Sequence, residues 1–156
     1  MEFRYQHHPE SMLTKLTTFS LICLIIACNT PAKQPHLSNP EHLSGDWSLV
    51  SAFPDTINLK KAVMDKWPYI SINSAKKSIG GYSGCNTFGG EFTVTNDKIT
   101  LGDLMATQRG CLGSIEPALF KHLRSANRYE VNKTRLKLYA MDTLLLSFAR
   151  KAAQPK

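Results

Sequence analysis

Apolar and polar residues alternate in short segments over most of the chain from residue 43 to residue 150, and this alternation constrains the fold more than any other feature. Successive side chains of a strand point to opposite faces of a sheet, so the pattern predicts strands with one buried face. The predicted strands cover residues 47–52, 69–72, 78–82, 91–95, 98–101, 129–131, 135–139 and 144–149. Short strands joined by tight turns are typical of an antiparallel barrel or sandwich.

One segment departs from the alternation and predicts a helix. Its apolar residues recur at helical spacing and share one face: Ile115, Leu119, Phe120 and Leu123. Ser114 suits the N-cap, Glu116 and Pro117 suit the first turn, and the helix is expected to end near Asn127. The predicted fold class is therefore mainly β, with seven or eight short strands and one α-helix before the last strands.

The N-terminus predicts export and lipid attachment. A short apolar run ends in Ile25-Ile26-Ala27-Cys28, which matches the lipobox of a bacterial lipoprotein signal. The run is shorter than the roughly 20 residues that a membrane-spanning helix needs, so residues 1–27 are predicted to be a signal peptide with its true start at Met12. Cys28 would then carry the lipid. The alternative is an ordinary secretory signal, cut by another peptidase, that leaves Cys28 unmodified.

The rest of the chain is predicted to contain one domain. Residues 28–42 are polar and contain three prolines, so they are expected to form a flexible tether. Residues 43–150 are long enough for one domain, and residues 151–156 are predicted to be a disordered tail. The domain is expected in the cell envelope, lipid-anchored and facing the periplasm. Asn29, in place of the aspartate that commonly retains such proteins at the inner membrane, favours the outer membrane.

The chain is basic, with a formal net charge of +7. Its basic residues are scattered and are not interleaved with aromatic residues, a pattern that does not favour nucleic acid as a partner. The charge is consistent either with simple solubility or with attraction to an anionic lipid or polysaccharide surface.

The four cysteines fall into three groups. Cys23 lies in the predicted signal and Cys28 is the predicted lipid attachment site. Cys85 and Cys111 remain as an even pair in an oxidising compartment, which favours a disulfide worth about 3.5 kcal/mol by loop closure. A reactive thiol pair is the alternative, but the Cys-x-x-Cys spacing typical of such pairs is absent.

Residues 80–90 read Gly-Gly-Tyr-Ser-Gly-Cys-Asn-Thr-Phe-Gly-Gly, and the segment is predicted to be a shaped loop. Its residues 84–90 resemble the Gly-Cys-Asn-x-Phe-x-Gly motif of the META domain family, which is found in HslJ-type heat-shock lipoproteins. Thr107 precedes Cys111 as in the Thr-x-x-x-Cys element of that family. Glu116, Phe120 and Leu123 match its Glu-x-x-x-Phe-x-x-Leu helix, and the resemblance extends over about residues 43–149. Arg109-Gly110 departs from the apolar-small pair that is common before the second cysteine.

The resemblance implies a small, lipocalin-like antiparallel β-barrel with one helix. It also implies an envelope-associated protein linked to stress tolerance, without an agreed catalytic activity. A candidate recognition loop follows from the motif residues Gly84, Cys85, Asn86, Phe88, Gly90 and Thr107. The same residues also suit a structural corner, with Cys85 bonded to Cys111 and Phe88 in the core.

No catalytic residue, cofactor or metal site is predicted. His122 lies on the polar face of the predicted helix, a disulfide would remove a free thiol nucleophile, and motifs such as His-Glu-x-x-His are absent. Two binding functions remain. The first is a monomeric, membrane-anchored module that binds an envelope protein, and the second is a carrier of a small molecule or lipid inside the barrel. Large apolar residues predicted to face inward favour the module: Leu136, Leu138, Leu146 and Phe148.

Overall fold

The computed structural model describes residues 39–53 and 66–152, together with Glu2 and Leu59. The predicted signal peptide, Cys28 and the predicted tether up to residue 38 lie outside the described residues. A 3-10 turn at Pro40–His42 leads into the domain. The strands and the helix that follow are β1 Gly45–Ala52, β2 Tyr69–Asn73, β3 Ser78–Tyr82, β4 Thr87–Thr95, β5 Lys98–Leu101, β6 Met105–Ala106, α1 Glu116–Ser125, β7 Arg128–Val131, β8 Arg135–Ala140 and β9 Thr143–Arg150.

Eight of these strands form a closed antiparallel barrel. The order around the barrel is β1-β2-β3-β4-β5-β7-β8-β9, and β9 pairs with β1 to complete the circuit. The short strand β6 is an additional strand beside the first half of β4. The predicted fold class, a mainly β antiparallel barrel with a helix before the last strands, is confirmed.

The helix packs its apolar face onto the barrel. Leu119, Phe120 and Leu123 are buried in the same core as the barrel side chains, and α1 contacts β5, β8 and β9. Among the described strands, β5 and β7 have the shortest pairing, which is the single residue pair Lys98 with Arg128. In the described part of the chain, no helix has the length and hydropathy needed to cross a membrane.

Side chains fill the interior of the barrel. The four residues predicted to face inward are all buried in the core: Leu136, Leu138, Leu146 and Phe148. Trp47 is completely buried beside them, and its indole nitrogen donates to the carbonyl oxygen of Leu43 at 2.9 Å. The buried indole therefore keeps a hydrogen-bond partner within the core.

The predicted boundaries differ from the structure in the glycine-rich segment. Residues 80–82 belong to β3 and residues 87–90 to β4, so the expected loop is a turn of only four residues, 83–86. The prediction for β4 began four residues late and β6 was not predicted. Glycine has low strand propensity, but pairing places both residues in the sheet: Gly89 pairs with β3 on one side and β6 on the other, and Gly90 pairs with β3.

The helix is also shorter than predicted. The helix begins at Glu116 with Ile115 at the N-cap, and it ends at Ser125, two residues before the expected end at Asn127. The hydroxyl of Ser114 nevertheless accepts a hydrogen bond from the Glu116 nitrogen at 3.1 Å. Ser114, the predicted cap, thus satisfies a first-turn donor from one position before the observed N-cap.

Candidate functional site

The turn between β3 and β4 places the side chain of Asn86 inside the protein. The Ser83 nitrogen donates to the Asn86 carbonyl oxygen at 2.9 Å, and the Asn86 nitrogen donates to the Ser83 hydroxyl at 2.9 Å. Between them, Gly84 adopts a φ of 96°, which favours glycine because it has no Cβ. This backbone conformation directs Asn86 toward the segment that follows β6.

Asn86 is the buried centre of a hydrogen-bond cluster. Its side-chain oxygen accepts from the Thr107 hydroxyl and from the Arg109 nitrogen, both at 2.8 Å. Its side-chain nitrogen donates to a Glu116 carboxylate oxygen at 3.0 Å and to the Arg109 carbonyl oxygen at 3.2 Å. The residue is only 2% exposed, and its amide uses both donors and both acceptor positions.

Glu116 completes this group, which we call the Asn86 cluster: Ser83, Asn86, Thr107 and Glu116 with the backbone of Arg109. The second carboxylate oxygen of Glu116 accepts a short hydrogen bond from the Ser83 hydroxyl. Since Glu116 is the first residue of α1, the cluster connects the helix to the β3–β4 turn and to the segment after β6. Buried polar groups that are fully hydrogen-bonded in this way fix a unique arrangement of the chain.

A disulfide between Cys85 and Cys111 crosses the same region. The two Cα atoms are 6.0 Å apart and the bond closes a sequence separation of 26 residues. Cys85 is buried next to Asn86, whose amide nitrogen lies 3.4 Å from the Cys85 sulfur. The predicted pairing is therefore present in the structure, and it attaches the loop before α1 to the β3–β4 turn.

The residues of the candidate recognition loop come together, but most of them are buried. Phe88 packs edge-to-face on Phe120 with ring centroids 5.2 Å apart. Gly84, Cys85, Asn86 and Phe88 lie inside the protein, and Gly90 is half-buried. Thr107 is exposed, although its hydroxyl is bonded to Asn86. Most of the motif residues therefore lie in the interior, and the surface next to them is formed by other, exposed residues.

Two exposed apolar residues, which the sequence analysis missed, lie beside the Asn86 cluster. Leu112, next to the disulfide residue Cys111, is 99% exposed, and Met105 on β6 is 77% exposed. β6 is also an edge: among the described strands it pairs with β4 alone. The sequence contained one signal for the exposure of Leu112. Leu112 lies in the segment Gly110-Cys111-Leu112-Gly113, which has no alternating or helical pattern that would place a large apolar side chain in the core.

One titratable side chain of α1 has a shifted pKa. Partial burial, assisted by the charge of Lys121, lowers the pKa of His122 on α1 below its usual value. Within residues 39–53 and 66–152, no three His, Cys, Asp or Glu side chains form a group suited to a metal ion.

The eight-stranded barrel, its helix and the disulfide beside Asn86 define a small, lipocalin-like β-barrel domain. The META domain matches residues 41–153. The chain belongs to the META domain family.

Solved structures with the same fold support this assignment of architecture. The chain is similar to a protein from Burkholderia xenovorans solved by NMR, with a TM-score of 0.58 and 22% identity over 75% of this chain and 91% of that one. It is also similar to a DUF4847 family protein from Bacteroides vulgatus, with a TM-score of 0.55 and 13% identity over 71% of this chain and 95% of that one. At these identities the likeness shows the fold alone. A comparison with curated proteins found no match.

Proposed function

We propose that the protein is a lipoprotein of the bacterial cell envelope whose META domain binds a protein partner, without catalysing a reaction, in a role related to stress tolerance. The observation that carries the proposal is the exposure of Leu112 and Met105 beside the rigid Asn86 cluster. Large exposed apolar side chains at a fixed site are typical of surfaces that bind other proteins.

The segment that presents these side chains is held at several points. Arg109 is bonded through both its nitrogen and its carbonyl oxygen to Asn86, and Cys111 is bonded to Cys85. At the start of the segment, Met105 pairs with Gly89 of β4. A surface that is ordered before binding loses less conformational entropy when a partner arrives, so these attachments favour affinity.

The edge of β6 suggests the form of the partner. In an antiparallel ladder, alternate residues direct their backbone groups away from the paired strand, so β6 presents groups on the side opposite β4. Such an edge accepts an extended segment of another protein by strand addition. We infer that the partner is an envelope protein that adds an extended, partly apolar segment beside β6, with Leu112 and Met105 in contact.

The filled barrel supports this function over a carrier. A carrier of a small molecule or lipid needs an interior of several hundred cubic ångströms, on the order of 300 Å³ or more. The inward side chains of β8, β9 and α1 instead pack against one another in a single core. The carrier remains the second candidate on the likeness to lipocalins alone, and co-purification of a lipid or metabolite with the domain would favour it.

Site-specific crosslinking in intact cells tests the proposal. A photoreactive residue replaces Leu112 in one variant and Met141 in the control, because Met141 is 74% exposed in the turn between β8 and β9. The expected result is an adduct with an envelope protein from position 112 and none from position 141.

Binding by the purified partner completes the test. The captured protein should bind the unaltered domain and should bind the Leu112→Ser, Met105→Ser double variant at least about tenfold more weakly, as expected for the loss of two apolar contacts. Met141→Ser should leave the affinity unchanged. Equal binding by all three proteins would refute the assignment of this surface.

A further inference from the structure

Two basic turns lie together at the end of the barrel where the chain enters β1. The Ser44 hydroxyl accepts from the Ser74 nitrogen at 3.0 Å, so it contacts the turn between β2 and β3. The Ser44 carbonyl oxygen accepts from Arg150 at 2.9 Å, and Arg150 also donates to the Lys133 carbonyl oxygen at 2.7 Å in the turn between β7 and β8. Ser44 and Arg150 therefore join both turns to the start of β1.

This end of the barrel, which we call the basic end, carries an excess of exposed positive charge. Its exposed cations are Lys76, Lys77, Lys133, Arg135 and Lys151. The exposed carboxylates nearby are Glu41, Asp46 and Glu91. Two of these carboxylates have local partners, since Asp46 accepts from the Ser71 hydroxyl and Glu41 accepts from the Asn39 amide.

The most prominent cations of the basic end have no opposite charge beside them. Among the described residues, the side chains of Lys76, Lys133 and Arg135 take part in no ion pair, and all three are exposed. Charges arranged in this way keep their attraction for an external anionic surface.

The N-terminal end of the domain, from which the chain leads back to Cys28, lies at the basic end of the barrel. Residues 29–38 connect Cys28 to Asn39, and a chain of this length reaches at most roughly 40 Å. The 3-10 turn Pro40–His42 then leads directly to β1, and Arg150 donates to the carbonyl oxygen of His42. A membrane that holds Cys28 therefore lies within reach of the basic end.

We propose that the basic end of the barrel binds anionic phospholipid headgroups of the membrane that holds the lipid anchor. The proposal rests on the anchor in the proposed function, and it adds an orientation: the barrel sits with its basic end against the bilayer. The edge of β6 and Leu112 are then presented to a protein partner by a domain whose rotation is restricted. Lys and Arg residues within a Debye length, about 8 Å at physiological ionic strength, contribute to such binding.

Vesicle binding by an unlipidated chain tests the proposal separately from the anchor. The chain from residue 28 to residue 156 carries Cys28→Ser and is mixed with vesicles of phosphatidylcholine, or of equal parts phosphatidylcholine and phosphatidylglycerol. Binding is expected only to the anionic vesicles and is expected to disappear at high salt. Equal binding to both kinds of vesicle, or to neither, would overturn the proposal while leaving the protein-binding surface untouched.

Two triple variants with the same change of charge locate the binding. Lys76→Gln, Lys133→Gln and Arg135→Gln together should weaken binding to anionic vesicles about tenfold or more. The control combines Lys98→Gln, Lys121→Gln and Arg124→Gln. These residues lie toward the opposite end of β7, where Lys98 pairs with Arg128 and α1 ends. Equal weakening by both triples would show attraction by net charge alone and would overturn the assignment to the basic end.

Discussion

The guanidinium group of Arg150 lies over the indole ring of Trp47, 4.0 Å from its centroid. The same group donates to the carbonyl oxygens of His42, Ser44 and Lys133, so it connects the last strand to the first strand and to the turn between β7 and β8. Gly45 makes room for it, because a Cβ at that position would overlap the guanidinium nitrogen. The Arg150 guanidinium thus holds the end of β9, the start of β1 and the turn between β7 and β8 together.

Replacing Arg150 with lysine should destabilise the domain. An ammonium group cannot reproduce the planar set of donors or the stacking on Trp47, so Arg150→Lys is expected to lower the free energy of unfolding by about 2 kcal/mol. Arg135→Lys is the control, because Arg135 is exposed and should change the value by less than about 0.5 kcal/mol. Chemical denaturation followed by tryptophan fluorescence measures both. Equal stability of the two variants would contradict the role of Arg150.

Asn86→Asp tests whether the Asn86 cluster depends on an amide. The new carboxylate would face the Glu116 carboxylate and the Arg109 carbonyl oxygen, which now accept from the Asn86 nitrogen. An unpaired buried charge is costly, so we expect the free energy of unfolding to fall by about 3 kcal/mol at neutral pH.

A second substitution distinguishes this cause from a general loss of packing. Glu116→Gln supplies an amide that can donate to the new carboxylate, so the Asn86→Asp, Glu116→Gln double variant should recover at least about 1 kcal/mol. A double variant less stable than Asn86→Asp alone would show that the two side chains do not interact as the structure describes.

The disulfide should contribute a large share of the stability. Closing a loop between Cys85 and Cys111 restricts the unfolded chain, and the loop-closure estimate is about 3.5 kcal/mol against a total of roughly 5–15 kcal/mol for a domain. Reduction, or the Cys85→Ala, Cys111→Ala double variant, should lower the denaturation midpoint accordingly. Alkylation without reductant followed by mass spectrometry should label neither cysteine, and labelling of both would refute the bond in the purified protein.

Local patterns predicted most of the fold because they act within a few residues of the chain. The alternation in β8 placed Leu136 and Leu138 correctly in the core, and helical spacing placed Leu119 and Leu123 there. The bulge between β1 and β9 was not predictable in this way. Val50 is an additional residue between the pairs Leu49–Phe148 and Ser51–Ser147, so Ala52 turns inward opposite Leu146.

The candidate site was less predictable because its bonds join distant residues. The motif pointed to Asn86 and Thr107, but the hydrogen bonds from Asn86 and Ser83 to Glu116 span 30 and 33 positions. Glu116 was assigned to the first helical turn and to the Glu-x-x-x-Phe-x-x-Leu motif, neither of which indicated a bond to Asn86, and Ser83 carried no signal. The exposure of Leu112 was not predictable for the same reason. The disulfide and the turn before α1 fix the loop that carries Leu112, and they leave its side chain outside the core.

Tyr139 should make stability fall at high pH. Burial, together with the hydrogen bond to Glu130 and its charge, raises the pKa of Tyr139 from 10 to about 12. Between these values the unfolded chain releases the proton while the folded chain retains it, so this contribution to stability is present below pH 10 and is lost as the pH rises toward 12. Tyr139→Phe should flatten the decline, as measured by denaturation at several pH values.

The neighbouring carboxylate provides the control for Tyr139. The phenol donates to Glu130 at 2.8 Å, and Arg128 pairs with the other oxygen of the same carboxylate at 2.9 Å. Glu130→Gln removes the negative charge, so the pKa of Tyr139 should move back toward its ordinary value. A tyrosinate absorbance titration that is unchanged by Glu130→Gln would contradict this cause.

Cys28→Ser should release the protein from membranes. A lipid chain contributes about 0.8 kcal/mol of membrane affinity for each buried methylene, whereas a serine contributes none of it. The attraction between the basic end and anionic headgroups would remain in this variant, but it is screened by salt and a lipid anchor is not. Fractionation of cells should therefore leave the unaltered protein with the membranes after a high-salt wash and should move Cys28→Ser into the soluble fraction. Release of the unaltered protein into the soluble fraction by that wash would contradict the anchor at Cys28, because salt screens headgroup attraction and leaves a lipid anchor in place.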